Sequence, residues 1–104
     1  MIVVTAGQIE GEKIIRTIGL VKGSTIRARH LGRDIMAGLR GIVGGEIGEY
    51  TKMMAQAREE ALKRMVTDAE EKGANAVVAM RFGTSMVMQN ASEVVAYGTG
   101  VVLE

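Results

Sequence analysis

From Glu49 to Lys72 apolar residues recur at helical spacing for about six turns, and no other stretch restricts the fold as strongly. Tyr50, Met53, Met54, Ala57, Ala61 and Met65 form one apolar face, while Lys52, Gln56, Glu59 and Lys63 point away from it. Glu59 with Lys63 and Glu60 with Arg64 have the favourable i,i+4 order. Gly73 stands where a left-handed residue ends a helix. A helix with one such stripe has to bury it against a second layer, and the remainder of the chain is mostly strand in pattern.

Residues 1–5 are predicted to form a strand. Residues 13–29 mix β-branched residues with alternating charge and carry Gly19 and Gly23, which predicts a bent strand or a strand pair. In that strand Ile26 and Ala28 face away from Arg27 and Arg29. Leu31, Ile35, Leu39 and Val43 fall at four-residue spacing and predict a short helix interrupted by Gly32 and Gly38. Residues 74–80 are a continuous apolar run of strand length, as expected for a strand covered on both faces. A looser pattern follows. Residues 94–103 predict a last strand, with Gly98 and Gly100 marking a bulge or a close backbone approach. The expected fold is α+β, an antiparallel or mixed sheet packed against one long and one short helix, as a single domain over residues 1–104.

A chain of 104 residues supports one modest core, burying roughly 65% of the surface exposed when unfolded. It has no cysteine, which excludes disulfides, thiolate metal sites and cysteine nucleophiles, and makes a reducing cytoplasm the expected location. No apolar tract is long enough for a membrane span and the N-terminus lacks the features of an export signal. The formal net charge is +1 and only three aromatic residues are present, so nucleic acid is not the expected partner. The basic run of Lys22, Arg27, Arg29, His30 and Arg33 reads as a solvated face first and an anion-binding edge second.

Few residues suggest chemistry. Gly44-Gly45 before the long helix could present backbone N–H groups to an anion, but no phosphate-loop pattern surrounds them and Glu46 and Glu49 would repel a phosphate. A structural turn is the favoured reading. Gly98-Thr99-Gly100 lacks the strand-turn-helix context of a dinucleotide site. His30 is the sole histidine, and no cluster appears at metal-ligand spacing. Eight methionines are a compositional excess, best explained as core or interface filler. Met86-Val87-Met88 would nonetheless put two thioethers on one face of a strand, a soft donor pair suited to Cu(I).

Several blocks occur together in order: Gly19-Leu20-Val21-Lys22-Gly23, Met36-Ala37-Gly38-Leu39-Arg40, Ile42-Val43-Gly44-Gly45, Ala57-Arg58-Glu59-Glu60-Ala61, residues 73–78 and Ala96-Tyr97-Gly98-Thr99. With them the whole chain resembles the YbjQ-like family of small bacterial and archaeal proteins. The resemblance implies a dodecin-like subunit, a homopentameric ring with short strands joining neighbours, and a heavy-metal ion as candidate cofactor. Glu46-Ile47, Thr51, Met53 and Gly83 depart from the family's pattern, and the departures remove oxygen ligands.

The reading favoured by these observations is a non-enzymatic, oligomeric binding or scaffold protein, its partners being copies of itself and a metal ion or small ligand. Tyr50 also matches the family pattern, and with Arg40, Gly44 and Gly45 it makes a candidate ligand site at a subunit junction; Met86 and Met88 are the candidate metal ligands. The alternative is a small enzyme whose active site at the subunit interface uses Arg40, Tyr50, Glu46 or His30. A third reading repeats Arg27, Arg29 and Arg33 around a ring to bind an anionic partner.

Overall fold

A computed structural model describes residues 1–28, 45–88 and 91–104, with residues 28 and 45–50 described by backbone alone. The chain forms β1 (Ile2–Val3), β2 (Ile14–Ala28), α1 (Gly45–Glu71), β3 (Ala76–Met88) and β4 (Ala91–Leu103). The strands make one mixed sheet in the order β1-β3-β4-β2, in which β1 is parallel to β3 and the other pairings are antiparallel. The α+β class is as expected. The short helix predicted over Leu31–Val43 lies outside the described residues.

The long helix starts at Gly45, four residues before Glu49. The sequence there carries Glu46 and Glu49, residue types that suit the positive end of a helix dipole. Gly73, at φ 91°, ends the element region as predicted, and Ala74 N–H donates to Ala69 O across the turn at 2.9 Å. The buried stripe of α1 is Ala57, Ala61, Met65 and Ala69, all at 0% exposure. Three alanines in four positions allow the helix backbone to settle directly on the sheet.

Gly23 of β2 receives it. A Cβ built there would lie 2.5 Å from Ala61 O, 2.6 Å from the Arg64 carbonyl carbon and closer still to Met65 N. Around that contact Val21, Val77, Met80, Val94 and Ala96 complete the main core. The opposite face of the sheet holds a smaller core, in which Ala76, Val78 and Val101 are covered by Val4, Ile9, Ile14 and Leu103. Residues 76–80 are thus buried from both sides, as their unbroken apolar run predicts.

Of the two alternatives predicted for residues 13–29 the bent strand forms: residues 14–28 make one strand, bent by register shifts between Ile14 and Arg16 and between Thr17 and Gly19, with Gly19 at φ 125°. The looser stretch after residue 80 is strand: β3 runs on to Met88 and β4 begins at Ala91, paired with each other and, through β4, with β2. Its pattern is loose because most of β3 from Arg81 onward is exposed, so no apolar alternation is required. Gly98 meets the second of its two predicted roles, and the bulge lies across from it in β3. The extra residue sits in β3 between Val78 and Arg81, where Ala79 takes φ 54°, and Gly98 is the close approach beside it, its absent Cβ position 2.7 Å from Val77 Cγ1.

That extra residue exchanges the faces of β3. Before it, Val77 lies in the core under α1; after it, the residues paired with the buried Ala96 and Val94 are Phe82 and Thr84. Odd positions face the helix on one side of Ala79 and even positions on the other.

The outer edge of β2 is not left bare. Lys72 Nζ donates to Leu20 O at 3.1 Å, Lys22 N–H donates to Asp68 Oδ2 at 3.0 Å, and Arg64 donates to Ser24 O at 2.7 Å. Successive turns of α1 therefore supply side chains to successive outward-facing backbone groups, a task that another strand would otherwise perform. Thr25, at 3% exposure, adds a buried bond from its hydroxyl to Ala57 O at 3.1 Å.

Candidate functional site

The two candidate thioethers lie near the end of β3. Met86 is 75% and Met88 65% exposed, and Val87 between them is also exposed. Met86 is paired with Ser92 and Met88 with Ala91, so a register shift falls between them. Their partners are adjacent residues of β4, which alternate in face. The register therefore does not keep Met86 and Met88 on the one face that the triplet suggests: each takes the side of its own partner, and both lie exposed near the end of the strand.

Of the other candidate ligand residues, Arg40 and Gly44 lie outside the described residues. Gly45 is the first residue of α1 and Tyr50 lies within its second turn, so their backbones are both part of one helix end. Glu46 shares that end, and His30, Arg29 and Arg33 lie outside the described residues.

A hollow of about 780 Å³ opens along α1, its described lining being Lys52, Ala55, Gln56, Glu59, Leu62 and Val66 with their neighbours Glu60 and Lys63. Ala55, Leu62 and Val66 continue a second apolar stripe beside the buried one. Leu62 and Val66 also touch the main core, so the hollow begins where the helix leaves the sheet.

On the sheet face turned away from α1, Tyr97 stands between Lys22 and Arg81 in one cross-strand row, with Val95 two residues on. Tyr97 is 40% exposed. Arg81 is already committed, since its guanidinium donates to Thr5 O at 2.9 Å and to Met80 O at 2.8 Å.

Among the described residues the titratable group moved from its ordinary range is Asp68. The N–H of Lys22 holds its carboxyl below the usual value against a smaller opposing effect of burial, and the Lys72 ammonium assists. The cause is the capping of β2, so Asp68 is a structural group. Sequence reading missed it, although Asp68 and Lys72 form an i,i+4 pair like those noted earlier in the helix.

The donor set is equally specific in what it allows. Among the described residues no three His, Cys, Asp or Glu side chains converge. Those residues do not fit a zinc or other oxygen- or nitrogen-ligated ion; among their soft donors the thioethers of Met86 and Met88 are the most exposed.

Comparison with known proteins adds family context. A family described as "Putative heavy-metal-binding", YbjQ, matches residues 1–104. A UPF0145 protein of Dehalococcoides mccartyi strain BAV1 is 64% identical over all of both chains. One from Methanosarcina acetivorans is 58% identical over 97% of this chain and 95% of its own. One from Pyrococcus abyssi is 58% identical over 100% of this chain and 91% of its own. In fold, the chain is similar to a crystal structure from Pediococcus pentosaceus described as a protein with unknown function of the DUF74 family. The TM-score is 0.70 at 18% identity, covering 100% of this chain and 98% of that one.

Proposed function

The chain belongs to the YbjQ-like family, and from that premise we propose that it is a non-enzymatic, oligomeric binding or scaffold protein of the cytoplasm. In this reading a single dodecin-like domain is repeated in a homopentameric ring that holds a heavy-metal ion or small ligand. The observation that carries the oligomeric part is the shape of the subunit. Its radius of gyration is 17.3 Å and its extents are 55 × 22 × 16 Å, whereas a compact chain of this length has a radius of about 13 Å. The surplus length leaves Leu20, Ile26, Phe82, Met86 and Met88 more than two-fifths exposed. Apolar surface displayed on a thin body is stabilised when copies cover it.

Two further observations support a binding rather than a catalytic role. The one shifted carboxyl among the described residues serves the β2 edge, and the available soft donors sit at an exposed strand tip. Junction residues Arg40, Gly44, Gly45 and Tyr50 remain the proposed small-ligand site, and Met86 with Met88 the proposed soft-metal site. No helix among the described residues is long and apolar enough to cross a membrane.

Native mass spectrometry on untagged protein purified without chelator tests the proposal. The expected spectrum shows five subunits with a retained adduct whose mass identifies the ligand class. A monomer at micromolar concentration would overturn the oligomeric reading. Assembled protein without any adduct, and without uptake of added Cu(I), would leave a scaffold and remove the metal.

A further inference from the structure

Past Val78 the sheet face turned away from α1 comes into the open. Val4 and Ile9 cover Ala76, Val78 and Val101 on that face. The row after Val78 and Thr99 is Lys22, Tyr97 and Arg81, all three exposed. Lys22 gives its N–H to Asp68 at the margin of the sheet, so it forms with Tyr97 a non-hydrogen-bonded pair, the closer kind, with Cα atoms about 4.5 Å apart. Arg81 stands about 5.5 Å away on the other side. One tyrosine is therefore flanked by a cation on each neighbouring strand.

Both cations have capacity to spare. Arg81 makes its two bonds, to Thr5 O at 2.9 Å and Met80 O at 2.8 Å, through the single nitrogen Nη1. They hold the guanidinium fork in place while Nε–H and Nη2–H have no described partner. Lys22 Nζ bonds to no described group. Among the described residues neither side chain is ion-paired with a carboxylate; the pairs there are Arg64 with Glu60 and Lys72 with Asp68. Asp68, whose carboxylate the Lys22 charge also influences, is bonded to Lys72 Nζ at 3.2 Å. Glu93, on the same face as Tyr97, is four residues along β4, about 13 Å away.

The ring is open as well. It reaches toward the next row, where Cε1 lies 3.9 Å from the point a Gly83 Cβ would occupy. Glycine leaves that point empty, so no β3 side chain stands beside the ring there, and Tyr97 stays 40% exposed. Val95, paired with both Gly83 and Ser24, adds apolar floor in the same row.

A flat apolar surface between two uncommitted positive groups matches a ligand that is flat in one part and anionic in another. A bare phosphate would leave the ring idle, and an uncharged ring would leave the cations idle. A nucleic-acid strand needs several platforms in file, but of the three aromatic residues Phe82 faces the helix side and Tyr50 belongs to α1. We infer that Lys22, Tyr97 and Arg81 form a binding site for a phosphorylated flat ring of the mononucleotide class. The ring lies on Tyr97 above Gly83, the fixed fork of Arg81 receives phosphate oxygens, and Lys22 supplies the second charge. The site is separate from the Met86–Met88 tip and from the N-terminal end of α1. It is built from one chain, so it stands or falls apart from the subunit number.

Calorimetric titration of the intact protein with adenosine monophosphate tests it. The expected result is saturable binding of one nucleotide per chain, with inorganic phosphate and adenosine each at least about tenfold weaker. Tyr97→Leu and Lys22→Met should each weaken the nucleotide by at least about tenfold. The first should reduce adenosine binding and spare phosphate; the second, which keeps the N–H that Asp68 accepts, should do the reverse. A general loss of structure would not produce that split. If either variant fails to fold, amide chemical shifts of the wild type decide, since the nucleotide should move Gly83 and Tyr97. No binding at millimolar nucleotide, phosphate bound as tightly as the nucleotide, unchanged affinity in both variants, or shifts that leave Gly83 and Tyr97 still would each overturn the assignment.

Discussion

Replacing Gly23 with Ala puts a methyl group into the helix backbone. The added Cβ overlaps Met65 N most closely, then Ala61 O at 2.5 Å and the Arg64 carbonyl carbon at 2.6 Å, against an ordinary contact of 3.4 Å or more. Relief requires a movement of at least about 0.9 Å, and because the obstacles are backbone atoms, α1 has to move as a body. Ala57, Met65 and Ala69, each fully buried, then part from the sheet. A gap of about 0.5–1 Å forfeits a quarter to a half of each dispersion contact, added to an overpacking cost of roughly 1–3 kcal/mol. We expect a loss of about 3–4 kcal/mol, a large part of the roughly 5–15 kcal/mol that holds a domain together. Urea unfolding at fixed protein concentration should show it as a midpoint lowered by about 2 M, taking a slope near 1.5 kcal/mol/M. Gly83→Ala is the control, since its Cβ would meet only side chains, Val95 at 3.3 Å and Tyr97 at 3.9 Å, and its cost should stay below about 1 kcal/mol. A Gly23→Ala loss under about 1 kcal/mol with an unchanged slope would refute the direct contact of helix and strand backbone.

Three other outcomes are expected. Asp68→Asn should weaken the β2 edge by on the order of 1 kcal/mol near neutral pH. Because the folded carboxyl titrates below its ordinary 3.8, its stabilisation is present above about pH 4 and disappears as pH falls through the folded value, so the gap between variant and wild type should close in acid denaturation curves. Thr25→Val keeps the shape of a residue at 3% exposure and removes its bond to Ala57 O; thermal unfolding should report about 1 kcal/mol lost, and an unchanged midpoint would show the hydroxyl to be idle. Met86→Leu with Met88→Leu should lower Cu(I) affinity at least tenfold in a chelator competition, and equal affinity would remove this pair from the metal reading.

The parts of the fold that were legible in the sequence are those where burial imposes a pattern. The stripe at Ala57, Ala61 and Met65 needed a partner layer, and the apolar run at residues 76–80 needed two, so both could be read directly. Residues 81–88 carry no such demand, because β3 there is mostly exposed, and its strand character comes from pairing with β4 rather than from its own alternation. Gly23 read as a bend in a strand; its role depends on Ala61 and Met65, forty residues away, which local pattern cannot bring together. The candidate sites fared differently for the same reason. Met86 and Met88 could be located because the triplet names them, but the shift in register between them is set by Ser92 and Ala91 on another strand. Arg40 and Gly44 lie outside the described residues, and Asp68 was invisible as a cap because its partner is a backbone N–H.

The extra residue at Ala79 gives the arm of β3 one point of tolerance to length. Between Val78, paired with Thr99, and Arg81, paired with Tyr97, β3 contributes two residues where β4 contributes Gly98 alone. Removing Ala79 would let Met80 stand opposite Gly98 in regular alternation, so Arg81, Phe82 and Thr84 would keep both their partners and their sides of the sheet. A deletion among residues 82–85 has no bulge to absorb it and would exchange the inner and outer surfaces of the strand beyond it in one step. In a lineage of such proteins a one-residue loss in this strand should therefore fall at Ala79 before it falls between Phe82 and Ser85.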